Sequence, residues 1–208
     1  MHYRDNCFDI YYTSSDEDYI EEVINTLNTS LGEYLDFFNL DRLDHKVSIK
    51  FYDNLESFKE YYESVRNTPH KSGHVGITRN NEIHMLSLRE RLKERPQDNF
   101  EIFLMGVKHE LVHICHIAYK GNNKGSWLAE GLATYLGSPR YEETIEGCTL
   151  EDLKVRSKYK FCYTLTKYLI EHYSHEKVLE YAADETLLLE DTRKILEEAK
   201  SYYSKKVK

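Results

Sequence analysis

The segment from Asp98 to Ala118 limits what this chain can become more than any other. Wound as a helix, it shows Phe100, Ile102, Phe103, Leu104, Met105, Val107, Leu111, Val112, Ile114 and Ile117 on most of its sides. That spacing predicts a helix packed against neighbours nearly all round. The same helix carries His109, Glu110 and His113 in an HExxH pattern. Imidazole and carboxylate groups are costly to bury without partners, so the fold has to bring partners to them. With 10 His in 208 residues, random order would produce this pattern only about 0.05 times.

Residues i and i+4 of a helix project from one face, one above the other. His109 and His113 can therefore reach a single metal ion, at about 2.0–2.1 Å for zinc to nitrogen. Glu110 is turned by about 100° from His109, beside the ion rather than on it. There it can take a proton from water activated at the metal and pass it to a leaving amine. A catalytic zinc needs a third protein ligand and an open position. The pattern HExxHxxGxxH would need Gly at 116 and His at 119, where this chain has His116 and Tyr119. Ser126 can cap a second helix, Trp127 to Leu136, and sixteen residues lie between His113 and Glu130 on it. That is enough for a turn and an antiparallel return. Gly131 and Ala133 lack bulk and would let the second helix approach the first closely. Glu130 is then the third ligand, and His116, seven residues after His109, is the alternative.

Around this pair the chain reads as alternating elements. Cys7 to Thr13 and Lys46 to Tyr52 are strand-like, and Ile20 to Phe38 has helical spacing behind a cap at Ser14-Ser15-Asp16. Leu55 to Val65 is a short helix stopped near Thr68-Pro69. Gly73 to Thr78 and Glu82 to Leu88 form a hairpin about Arg79-Asn80-Asn81. Asp98 can cap the HExxH helix, with Glu101 completing a capping box, and Gly121-Asn122-Asn123 ends it. The second helix stops at Gly137 with Pro139 beyond. Leu150 to Tyr173 and His175 to Tyr203 read as helices. The expected class is α+β. Residues 1–120 form an α/β lobe with a small mixed sheet and the HExxH helix, and residues 121–208 form a helical lobe carrying Glu130, together one catalytic domain.

Lys and Arg number 28 against 36 Asp and Glu, a net charge of -8, which argues against nucleic acid and anionic membrane as partners. The one basic concentration, Arg89 to Arg95, reads as a solvated helical face. No run approaches the roughly 18 apolar residues of a membrane span, and the N-terminal residues lack the apolar core of a signal peptide. Four cysteines without CxxC spacing suit reduced thiols in the cytoplasm.

His109-Glu110-Leu111-Val112-His113 followed by Trp127-Leu128-Ala129-Glu130-Gly131-Leu132-Ala133-Thr134-Tyr135 resembles the gluzincin metallopeptidases. More narrowly it is similar to the peptidase-MA-like group of minigluzincin and thermolysin-like enzymes, whose second motif reads W-x-x-E-G-x-A. The resemblance extends, as a pattern, from about Cys7 to Ala182. It implies a zincin-like fold, with His109, His113 and Glu130 as ligands of one Zn²⁺ per chain and Glu110 as general base. It also implies an edge strand that pairs with an extended peptide, for which Glu82 to Leu88 is the matching segment. Thermolysin-like members place an Asp four residues after the ligand Glu to orient a ligand His. Thr134 stands there in this chain, and its hydroxyl accepts more weakly than a carboxylate. A downstream Tyr or His steadies the oxyanion in the family. Tyr159 is the candidate here, with Tyr163 and Tyr135 as fallbacks.

The resemblance thus implies a zinc metalloendopeptidase acting on a peptide or protein substrate. The alternative is a metal-binding regulatory or latent gluzincin-like module with little or no turnover. Metal-dependent hydrolysis of something other than a peptide is a third possibility.

Overall fold

A computed structural model describes residues 1–120, 126–138, 141–155 and 158–206. Five strands form one mixed sheet: β1 (His2–Arg4), β2 (Phe8–Tyr11), β3 (Val47–Tyr52), β4 (Gly76–Arg79) and β5 (Glu82–Leu86). Their spatial order is β1-β2-β3-β5-β4. β3 runs parallel to β2 and β5, while β1 and β4 are antiparallel to their neighbours. Eight α-helices accompany the sheet among the described residues: α1 (Glu17–Phe37), α2 (Leu55–Arg66), α3 (Leu88–Glu94), α4 (Phe100–Lys120), α5 (Trp127–Leu132), α6 (Tyr159–His172), α7 (His175–Ala183) and α8 (Glu185–Lys206). The class is α+β. None of these helices is long and apolar enough to cross a membrane. The chain divides into two compact units, Met1–Cys115 and His116–Lys208.

In the first unit, period-2 alternation sorts the strand residues onto two faces. One face carries Phe8, Ile10, Val47, Ile49, Phe51, Ile83 and Met85, all buried. Helix α4 packs here, with the Phe103 ring 5.7 Å from that of Phe51. The opposite face carries Tyr52, Ile77 and Leu86, which cluster with Phe58 of α2 and with Val75. Full burial of each large apolar side chain contributes about 1.5–3 kcal/mol, so the sheet is held from both sides. Asn54 caps α2 by accepting from the Ser57 N–H at 3.1 Å, and Asn67 ends it in the left-handed region at φ 52°. Asn80, at φ 53°, makes the expected β4–β5 turn.

The hairpin corrects one expectation. Glu82 to Leu88 does not supply the edge strand, because β5 lies inside the sheet between β3 and β4. Its near-continuous burial is that of a strand with neighbours on both sides and layers on both faces. β4 is the outer arm of the hairpin and one edge of the sheet, with a glycine at its start and the exposed Arg79 at its end.

The basic stretch is corrected at one residue: Arg89 and Lys93 are exposed, as a solvated face requires, but Arg91 is not. Arg89 to Arg95 includes α3, and Arg91 is 2% exposed rather than solvated. Its Nε donates to Asp98 Oδ2 at 2.8 Å. The guanidinium lies where Gly106 of α4 has no side chain, since a Cβ there would be 2.6 Å from Arg91 Nη1. Asp98 is therefore not the cap of α4; Asn99 takes that place, accepting from the Ile102 N–H at 2.9 Å.

In the second unit, α5 continues into a π-helical turn, Ala133–Gly137. The close approach expected of Gly131 is made onto α6. A Cβ at Gly131 would lie 1.9 Å from Thr166 Oγ1 and 2.7 Å from the Cys162 carbonyl oxygen. Trp127 Nε1 donates to Thr192 Oγ1 of α8 at 3.0 Å. Lys167 of α6 and Lys206 of α8 both pair with Glu143. Two helical expectations change. Leu150 to Tyr173 becomes a 3₁₀ turn at Asp152–Lys154 and then α6, and His175 to Tyr203 is interrupted at Asp184. The Asp184 carboxylate instead accepts from the Thr186 N–H at 2.9 Å to start α8. The expected breaks at Gly121 to Asn123 and at Pro139 lie outside the described residues.

Two stability measurements follow from this packing. Asp98→Ala leaves a buried guanidinium without its carboxylate and should lower the unfolding free energy by about 3–5 kcal/mol in urea titration, with part of the loss recovered in Arg91→Leu/Asp98→Ala. Gly131→Ala should cost about 1–3 kcal/mol by the same assay, and an unchanged midpoint would mean that α5 and α6 do not meet at that residue.

Candidate metal centre

Helix α4 is uninterrupted from Phe100 to Lys120, so the i, i+4 relation of His109 and His113 holds as the spacing requires. Their ring centroids are 4.9 Å apart and the rings are nearly perpendicular. His113 is buried and His109 half-buried. Glu130 belongs to the first turn of α5, whose start is fixed by Ser126: its Oγ accepts from the Ala129 N–H at 3.2 Å. Gly131, the next residue, seats α5 on α6 and so settles where the Glu130 backbone lies.

Among the described residues, His109, His113 and Glu130 are the group able to hold a metal ion. Each offers one ligand atom, and these atoms all lie within 4.8 Å of one another. Two imidazoles and one carboxylate form a donor set suited to zinc, and three protein ligands leave a position for water or substrate. The residues present thus fit the group in number and chemistry.

Glu110 is held from the sheet. Thr78 of β4 donates from Oγ1 to Glu110 Oε2 at 2.6 Å, and the same hydroxyl is 3.2 Å from the Glu110 carbonyl oxygen. Motif spacing gives no hint of this partner, which lies 32 residues upstream. Only strand alternation, which sets Thr78 opposite Ile83 on the α4 side of the hairpin, would have pointed to it.

Thr134 is fully buried, and its hydroxyl donates to the Glu130 carbonyl oxygen at 2.7 Å, one turn back in its own helix. That bond uses its one proton and leaves its oxygen able to accept. Tyr159 is the first residue of α6 and half-buried. Its ring stacks on that of Tyr141 with centroids 6.4 Å apart, and Tyr141 in turn lies 6.3 Å from Tyr163. Tyr135 and Tyr163 are 6.0 Å apart. The three expected tyrosines thus belong to one aromatic group, to which the structure adds Tyr141.

The remaining histidines and cysteines are placed otherwise. His116 is buried and hydrogen-bonded through Nε2 to the Ala182 carbonyl at 2.9 Å, outside the ligand group. His84 bonds through Nδ1 to the Tyr52 hydroxyl at 2.9 Å and stacks on Tyr61, and burial pulls its pKa down. His74 stacks on Tyr62. All four cysteines are free thiols. Burial pushes Cys115 up to about 12, and burial together with the Glu130 charge does the same to Cys162. Neither belongs to the group able to gather a metal ion. No family model matches the chain, and neither does any curated protein or solved structure.

Proposed function

We propose that this protein is a zinc-dependent metallopeptidase with a zincin-like active site. The observation that carries the reading is the gathering of His109, His113 and Glu130 ligand atoms within 4.8 Å, with Glu110 one residue from the first of them. His109 and His113 would hold Zn²⁺ from one helix and Glu130 from another, one ion per chain. Bound there, Zn²⁺ supplies Lewis-acid chemistry, lowering the pKa of water toward 7 and polarising a carbonyl. Glu110 takes the proton of the attacking water and carries it to the leaving amine. Its side chain is anchored at Oε2 by Thr78, so the other oxygen is the one disposed to exchange the proton.

An extended peptide would add to the sheet along β4, the edge strand that touches Glu110, and so bring its scissile carbonyl near that carboxylate. A hydroxyl of the group formed by Tyr135, Tyr141, Tyr159 and Tyr163 would steady the oxyanion, with Tyr159 as the first candidate. Free thiols at all four cysteines suit a reducing compartment such as the cytoplasm.

The test combines metal analysis with peptide cleavage. Wild-type protein should carry about one zinc per chain. His109→Ala and Glu130→Ala should lose most of it. Glu110→Gln should keep the zinc and lose hydrolysis of a fluorogenic peptide library by about 10²–10⁴-fold, and chelation should abolish wild-type cleavage. One zinc per chain with no cleavage of any peptide would replace this reading with a metal-holding module that does not turn over.

A further inference from the structure

β4 treats the two oxygens of the Glu110 carboxylate differently. Ile77 points into the cluster with α2, so its neighbours Gly76 and Thr78 both face α4. Thr78 Oγ1 donates to Oε2 at 2.6 Å. Two residues earlier, Gly76 leaves a space: a Cβ there would lie 3.1 Å from Glu110 Oε1 and 3.3 Å from Met85 Cγ. Met85 is buried and pairs with Gly76 across the hairpin, so it has little room to yield. One oxygen is tied and the other is given clearance, by two side-chain positions on one strand.

A glutamate has three rotatable bonds and, left to itself, divides its time among several rotamers. A proton carrier that has to serve water on one side and a leaving group on the other gains from being held in one of them. We propose that Thr78 is a positioning residue for Glu110 and that Gly76 is kept free of a side chain so that Oε1 stays open for proton transfer. The inference rests on Glu110 acting as the proton carrier of a peptidase. A bond that merely tied β4 to α4 would also be lost on mutation, so the test has to separate the two.

The variants are Thr78→Val, Thr78→Ser and Gly76→Ala, made in the full chain. Thr78→Val should keep about one zinc per chain and lower kcat by roughly 10–100-fold with little change in KM, since a misplacement of about 1 Å costs on that order. Thr78→Ser, which restores the donor without the methyl group, should recover most of the loss. Gly76→Ala should lower kcat in the same way with the zinc retained. Equal kcat in Thr78→Val and wild type, or no recovery in Thr78→Ser, would overturn the proposal.

A second readout needs no activity. In metal-free protein, Thr78→Val should lower Tm by about 3–12 °C, the range expected for a hydrogen bond to a charged group in a chain of this size. The same substitution in a Glu110→Ala background should lower it by far less. Equal losses in both backgrounds would show that Thr78 does not hold the carboxylate. If wild type and Glu110→Gln prove equally inactive on peptides, the peptidase reading fails while the Tm cycle still decides whether the carboxylate is held.

Discussion

Helix α4 buries Phe103, Val107, Leu111 and Val112 completely and places His109, Glu110, His113 and His116 among them. An apolar environment makes every unpartnered polar atom expensive, so this one helix dictates polar positions elsewhere in the chain. Thr78 answers Glu110, and the Ala182 carbonyl answers His116. Arg91 and Asp98 answer each other beneath Gly106. The sheet edge thus gives Glu110 its partner, while Gly106 of the same helix leaves room for the guanidinium of α3.

The group able to gather a metal ion includes Glu130, a carboxylate carried by α5. Its position depends on backbone contact rather than on side-chain fit. Gly131 lets α5 settle against α6 at a distance where even a methyl group would collide with Thr166 and the Cys162 carbonyl. The π-helical turn beginning at Ala133 then changes the winding within one turn of Glu130. Contact and winding together fix the point from which the Glu130 side chain departs.

Much of this was legible from residues alone, for identifiable reasons. The apolar coverage of α4, the i, i+4 histidines and the Ser126-capped helix carrying Glu130 depend on local periodicity, which sequence states directly. The hairpin was legible because Asn80 tolerates a positive φ. What could not be read were choices made by tertiary packing. Either arm of the hairpin can be the outer one, and burial of β5 on both sides decided it. Arg91 looks like a surface residue until Asp98 and a glycine on another helix make room for it. Asp98 looks like a cap until it is claimed by that arginine, which leaves Asn99 to do the capping.

The same limit explains why Thr78 carried no signal. A hydroxyl in a short strand of sequence Gly-Ile-Thr-Arg has nothing to mark it until the sheet lays that strand beside α4. Its chemistry nevertheless suits the place. Arginine or lysine at this point would hold the Glu110 carboxylate firmly, but would also set a positive charge beside residues able to gather a cation. A carboxylate would repel it. A neutral hydroxyl fixes position while adding no net charge, and threonine's branched Cβ restricts the rotamers from which it can donate. The neutral donor from the sheet thus holds the Glu110 carboxylate without changing the charge beside the residues able to gather a cation.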